Sequence, residues 1–257
     1  MIAARLCFSL LFLLSLPACS SLERLAKAGA AKPSAFLPHA ADLKKTKADH
    51  DPFLRVWRND SKEVWAKAET KKTLYIAPVS LDYLRPMTKP MSRVEVREKS
   101  RQKEAKKLAT YIRDQFTQAF RNSKTPRYEI VETPQKDSVT LELALVEFNP
   151  NSIAAGLTRR AINLLAVPGA ESIVGRPLKG SIAIEGRVWD PEQKESLYEF
   201  ADAEHNRSAL ILSVHDYNAY SASRKTVREW AAQFEQITRT PAGGRVKDSS
   251  PFTLMLW

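Results

Sequence analysis

The sequence predicts an α+β fold, a mostly antiparallel sheet with helices packed on one face. Three observations predict it. Strand-like runs occur early and late in the chain, with helical stretches between them and hairpin-type turns joining the later strands. Two segments repeat apolar residues at three- and four-residue steps, the spacing of a helix that buries one side. No Gly/Ser-rich linker divides Phe53 from Ile237, so these elements read as one domain.

From the N-terminal side, Phe53–Asn59 (FLRVWRN) and Val64–Lys67 (VWAK) space their aromatics in a way that suits packing. Thr73–Leu81 (TLYIAPVSL) is β-rich, and its near-continuous apolarity predicts a strand covered on both faces, with Pro78 marking a bulge or an edge. The proline-punctuated LRPMTKPM that follows is a loop. Val96–Asn122 is the clearest helix, with Ala105, Leu108, Ala109, Ile112, Phe116, Ala119 and Phe120 on one stripe. Arg127–Glu132 is a strand and TPQKDS a turn. In Val139–Phe148 the residues Val139, Leu141, Leu143 and Leu145 face one side, Thr140 and Glu142 the other.

Ser152–Gly169 reads as a helix interrupted by Gly156 and stopped by Pro168-Gly169, and Arg159-Arg160 at its centre favour packing on the sheet over insertion into a membrane. Gly180–Trp189 is a strand with Ile182, Ile184 and Val188 inward and Glu185 and Arg187 outward; Leu197–Glu204 returns as its partner after the turn opened by Asp190-Pro191. The last helix spans about Ser223–Thr238, with Ser223 as N-cap and Val227, Trp230, Ala231, Phe234 and Ile237 as its core face.

The first residues carry a different kind of signal. Met1–Arg5 holds one positive charge, and Leu6–Leu16 (LCFSLLFLLSL) is an apolar run of eleven residues. A membrane-spanning helix needs about 20 apolar residues, so the run suits a cleaved secretory signal instead. Leu16-Pro17-Ala18-Cys19 then resembles the lipobox of bacterial lipoproteins, with Pro17 departing from the usual small or β-branched residue. The resemblance implies that the Cys19 thiol accepts diacylglycerol and that its freed amine is acylated. Each buried methylene contributes about 0.8 kcal/mol and two chains already hold firmly, so three make a permanent anchor. Ser20, where an aspartate would favour inner-membrane retention, points to the outer membrane.

Cleavage removes Cys7 and lipid consumes Cys19, which leaves no free thiol for a disulfide, a nucleophile or a metal. The remaining 239 residues hold 39 Lys and Arg against 29 Asp and Glu, a net charge of +10. That excess favours anionic neighbours such as lipid headgroups, acidic polysaccharide or an acidic protein face. Nucleic acid is discounted, because a lipid-anchored periplasmic chain rarely meets any.

Ile184-Glu185-Gly186-Arg187, Asp190, Phe200-Ala201-Asp202 and Glu229-Trp230-Ala231…Gln233-Phe234 together resemble the C-terminal part of a bacterial lipoprotein family, domain of unknown function 3313. Ala161–Leu165 (AINLL) and Ser34–Pro38 (SAFLP) fit the same family. Where that family's turn usually carries Thr-Gly before Glu, this chain has Gln193-Lys194-Glu195, which implies a longer turn or another type. The resemblance implies an address and a fold, and no activity.

Catalytic and ligand motifs are sparse. Glu185 and Arg187 share the polar side of a strand and, with Asp202 from the partner strand, form either a charged pocket or a cross-strand ion-pair ladder. His205, His215, Asp202, Asp216, Ser208 and Ser213 offer a serine-triad composition without the strained G-x-S-x-G turn that activates a serine. The four histidines, 39, 50, 205 and 215, have no metal-ligand spacing, and no glycine pattern cradles a phosphate. No cofactor is expected. Arg93–Lys107 carries seven Lys and Arg against three Glu, with like charges four apart that destabilise a helix by a few tenths of a kcal/mol each. Arg97, Lys99, Arg101 and Lys103 are therefore candidates for contact with anionic lipid or cell-wall carboxylates, against the plainer reading of a solvated helix face.

The expectation is a lipoprotein signal peptide over residues 1–18, a lipidated Cys19 with a flexible tether over 19–43, and a single periplasmic α+β domain over 44–257. The domain would be held by its lipid at the outer membrane, facing the periplasm, as a non-catalytic binding or envelope-assembly module. Its partner would be an anionic lipid, a cell-wall component or an envelope protein. The competing expectation is a hydrolase using Glu185 and Asp202 on the sheet face.

Overall fold

The computed structural model describes residues 32–47, 50–86, 94–149, 181–205, 221–241 and 243–248. Cys19 and the Ser152–Gly169 helix lie outside them, as do Ser208, Ser213 and His215. Seven strands form one mixed sheet: β1 (Lys44–Lys45), β2 (Arg55–Arg58), β3 (Thr73–Ile76), β4 (Glu129–Val131), β5 (Ser138–Asn149), β6 (Ser181–Asp190) and β7 (Glu195–His205). Among the described residues three helices accompany them: α1 (Lys62–Thr70), α2 (Val94–Arg121) and α3 (Ser221–Arg239). The sheet order is β1-β2-β7-β6-β5-β3-β4; β3 runs parallel to both its neighbours and every other pair is antiparallel. The class is α+β, and the sheet is mostly antiparallel.

Period-two patterning sets the core. Leu141, Leu143 and Leu145 of β5, with Ile182, Ile184 and Val188 of β6, join one buried cluster together with the α2 stripe and Val227, Trp230, Ala231 and Phe234 of α3. Phe234 is its hub, with ring centroids 5.6 Å from Phe200, 5.7 Å from Phe116 and 6.1 Å from Phe120. Gly186 belongs to this face because Phe200 lies over it: a Cβ there would stand 2.3 Å from that ring and 2.9 Å from Leu143.

Several details depart from the sequence expectation. β3 is half-buried: Leu74 and Ile76 point into the core while Thr73 and Tyr75 stay partly exposed, and the strand ends before Pro78. The aromatic-spaced stretches become β2 and α1, the latter opened by Ser61, whose hydroxyl accepts the Val64 N–H at 3.3 Å. Ser223 is inside the first turn of α3, which starts two residues earlier. In the β6–β7 hairpin the missing glycine is answered by Lys194 itself, which adopts φ +56° and donates its N–H to the Asp190 carbonyl at 2.8 Å. Asp190 Oδ1 accepts the Glu192 and Gln193 N–H groups at 2.9 and 3.3 Å and locks the turn.

The largest departure concerns the tether expected over residues 19–43. Its described part, 32–43, lies against the sheet face opposite the helices, and Leu37 and Leu43 are buried there against Ala201. The physical reason is in the sheet. Ala144, Ala183 and Ala203 form a floor of small side chains with Val146, so a strap of successive turns can approach closely and seat Phe36.

Candidate functional site

The strapped face concentrates charge. Glu142 of β5, Arg187 of β6, Glu199 of β7 and Trp57 of β2 are successive partners in one row across four strands, and Glu185 stands one row away beside Ala144 and Ala201. Glu185 is 1 % exposed and Glu199 fully buried. Burying a carboxylate is costly unless hydrogen bonds replace its water. The strap supplies them. Ser34 donates its backbone N–H to Glu185 Oε1 at 2.8 Å and its hydroxyl to Oε2 at 2.5 Å. The His39 backbone N–H donates to Glu199 Oε2 at 3.0 Å, and its ring Nδ1 lies 2.8 Å from Oε1. The same ring stacks on Trp57 with centroids 3.7 Å apart and planes within 3°.

Arg187 Nε donates to Glu142 Oε2 at 2.5 Å, a single cross-strand ion pair with β5 and not a ladder of Glu185, Arg187 and Asp202 across the hairpin. An open cleft of about 450 Å³ borders this pair, lined also by Phe36, Pro38, Ser80 and Tyr83. Asp202 does not join it. It sits opposite Ile184 on the helix-covered face, where Oδ2 accepts the Trp230 indole N–H at 2.6 Å and Oδ1 the Leu54 N–H at 3.2 Å. The pocket expected from Glu185 with Asp202 is therefore split across the sheet. The cause is a bulge between Val188 and Trp189, where one extra residue on β7 turns every later side chain to the other face.

A second polar cluster lies where β3 and the β6–β7 turn meet. Lys71 Nζ stands 3.0 Å from Asp190 Oδ1 and 3.0 Å from Glu192 Oε2, and donates to the Lys136 carbonyl at 3.1 Å. Burial opposes the Lys71 charge, but the hydrogen bonds and charges of the two carboxylates outweigh it and raise its pKa. Burial likewise opposes the Asp190 charge, and its bonds from Gln193, Lys71 and Glu192 outweigh that and lower its pKa. Tyr198, buried among Asp51, Arg58 and Asp202, is raised well above its ordinary value, chiefly by burial.

The basic stretch of α2 divides. Arg101 turns inward, 4 % exposed, donating Nη1 to the Phe148 carbonyl at 3.1 Å and Nη2 to the Arg85 carbonyl at 2.9 Å. This corrects its assignment as a surface contact: Arg101 precedes Ala105, Leu108 and Ile112 on the buried stripe, and two carbonyls accept from its guanidinium. Lys99 and Lys103 face solvent, joined by Lys106 and Lys107 from the same basic stretch, which were not among the four contact candidates. The side chain of Arg97 lies outside the described residues.

α3 adds cations that the sequence reading did not connect. Tyr111 of α2 lies under Arg224 at 5.3 Å and its hydroxyl oxygen accepts Arg228 Nη1 at 3.0 Å, while Ser123 at the far end of α2 donates to Glu235 Oε1 at 2.7 Å. The two helices thus run side by side in the same direction, and the N-terminal half of α3 sets Arg224, Lys225 and Arg228, all exposed, beside α2 at Tyr111, just past its midpoint. Among the described residues, no group of three His, Cys, Asp or Glu side chains is placed to hold a metal ion. No described helix is long and apolar enough to cross a membrane.

The fold and these surfaces define an α+β sheet domain with one face under helices and the other under its own N-terminal strap. The chain belongs to the family described as "Protein of unknown function (DUF3313)", whose profile matches residues 32–234. No curated protein matches it. Among solved structures, it is similar to the PelC dodecamer from Paraburkholderia phytofirmans in space group P6, at 6% identity over 70% of this chain and 96% of that one, with a TM-score of 0.35. A point variant of that dodecamer in space group C2 is similar at 8% identity, over 64% and 87% of the two chains, with a TM-score of 0.34. Similarity at that level adds nothing to the reading of the site.

Proposed function

We propose that this chain is a lipid-anchored module of the bacterial outer membrane, facing the periplasm, that binds an anionic envelope partner without catalysing a reaction. One observation carries the binding half of the reading. The carboxylates singled out for chemistry are engaged inside the fold, Glu185 by Ser34 and Asp202 by Trp230 and Leu54, while the cations of α2 and α3 stand in solvent. An acid–base pair needs two groups converging on one substrate position, and Glu185 and Asp202 sit on opposite faces of the sheet. The anchoring half is supported by the order of charged start, apolar run and Leu16-Pro17-Ala18-Cys19.

The full-length chain produced in a Gram-negative host with labelled palmitate tests the anchor. The parent should take up label and fractionate with outer membranes, and Cys19→Ser should lose the label and remain a precursor. A Cys19→Ser chain that labels and fractionates like the parent overturns the reading. Crosslinking in the same cells should then recover an envelope component through α2 and α3; capture through the strapped face alone would move the binding surface.

A further inference from the structure

We infer that the solvent side of α2 from Lys99 to Lys107, continued by the start of α3 where it meets Tyr111, forms a docking surface for anionic phospholipid headgroups, so that the domain lies against the bilayer that holds its own anchor. This rests on the lipid-anchor reading above and specifies which surface meets the membrane. Three observations lead to it.

The first is how the N-terminal segment is tied to the domain. Lys32 has its carbonyl bonded by Arg85 Nη2 at 2.6 Å. The Arg85 carbonyl in turn accepts Arg101 Nη2 at 2.9 Å, and Arg101 bonds the carbonyl of Phe148 near the end of β5. Two arginines therefore tie the root of the N-terminal segment to the first part of α2. The second is length. Thirteen residue steps separate Cys19 from Lys32, a span of at most about 45 Å however the chain runs. A surface at that root stays within a short reach of the lipid, and such tethering raises its effective concentration at the bilayer.

The third is charge. Around that root the solvent side of α2 carries Lys99, Lys103, Lys106 and Lys107, against Glu104, which pairs with Lys107 at 3.0 Å. The flank of α3 continues the surface with Arg224, Lys225 and Arg228, against Glu229 at 3.9 Å from Lys225 and the exposed Asp114 of α2, three residues past Tyr111. Acids fail to balance cations on this surface, whereas at the far end of the molecule Lys71 meets Asp190 and Glu192. Exposed like charges along one helix face cost stability and gain nothing within the fold. Opposite a layer of anionic headgroups, the same charges attract.

The test uses the mature chain with Cys19→Ser, so that no acyl chain contributes, and sedimentation with vesicles of phosphatidylethanolamine and graded phosphatidylglycerol. Binding should rise with phosphatidylglycerol, fall with salt and vanish on phosphatidylcholine. Combined Lys99→Gln, Lys103→Gln, Lys106→Gln and Arg224→Gln should lower partitioning at least tenfold, since each cation near an anionic surface multiplies it about fivefold. Lys124→Gln, Lys136→Gln and Lys194→Gln, exposed at the other end, should leave it unchanged. Absence of vesicle binding, equal losses in both sets, or retention only by polygalacturonate would overturn the inference. Palmitate labelling of Cys19 reads the anchor separately, so a labelled chain whose domain ignores vesicles refutes the docking surface alone.

Discussion

The two faces of this sheet solve burial by different chemistry. Under the helices, Phe116, Phe120, Phe200 and Phe234 fill the space with rings, and the buried carboxylate Asp202 is matched by Trp230. Under the strap, the floor is alanine and the buried groups are carboxylates, Glu185 and Glu199, held by donors from a segment only a few residues long. Area removed from water stabilises the first face at about 25 cal/mol per Å², a non-directional contribution spread over many side chains. The second face depends on a few directional bonds, and losing one leaves a buried charge short of partners. The helix side should therefore set global stability, while the strap side should open locally.

Phe234→Ala strikes the first face at its hub and should have the largest effect. It removes a ring touching three others in a fully packed site, so the expected loss is about 3–5 kcal/mol. Urea unfolding of the variant should show a lowered midpoint with the slope unchanged. A loss below about 1 kcal/mol would mean that the rings do not carry the fold, and the comparison would fail.

Lys71 at the rim tests how well this protein tolerates buried charge. Asp190 is lowered from its ordinary 3.8, so its contribution is present above that pH and fades as acid protonates it. Lys71 is raised from 10.5, so its contribution is complete below that pH and fades as base removes the proton. Lys71→Met should cost about 2 kcal/mol between those limits, and the gap from the parent should narrow beyond either. Thermal melts across pH check this; a gap constant with pH would remove the ion pair from the account.

The strap responds on a smaller scale. Ser34→Ala deletes the hydroxyl donor to Glu185 and should cost about 1–2 kcal/mol, most of it local. Proteolysis within residues 32–43 should accelerate while the global melt moves little. Equal protection in parent and variant would show that the alanine floor holds the strap without the carboxylates.

What was legible in the sequence follows the same division. The stripes of α2 and α3 and the alternation in β5 and β6 are written in large apolar residues at fixed periods, and the core assembled from them. The strap, KPSAFLPHAADL, has no apolar period, because alanine on the sheet lets almost any backbone settle; Ser34–Pro38, which fits the family, was its one mark. Arg101 was legible in principle, since it falls four and seven residues before Ala105 and Leu108, but the surrounding cations made it read as surface. Asp202 was not legible: its face depends on a single-residue bulge in β7, and no local pattern announces that shift.

The smallest expected change sharpens that last point, because the hairpin turn sets the register from which the bulge then departs. Lys194 holds φ +56°, a left-handed conformation that costs a side-chain-bearing residue about 1–2 kcal/mol. Lys194→Gly removes that cost but adds about 0.5–1 kcal/mol of chain entropy to the unfolded state. The balance is a gain of about 0.5 kcal/mol, with the Asp190 Asx turn and the Lys194 N–H bond retained. Chemical unfolding of parent and variant side by side resolves a shift of that size. A loss instead would mean that the Lys194 side chain contributes contacts the turn geometry does not reveal, and the register of β6 on β7 would then rest on more than the backbone of four residues.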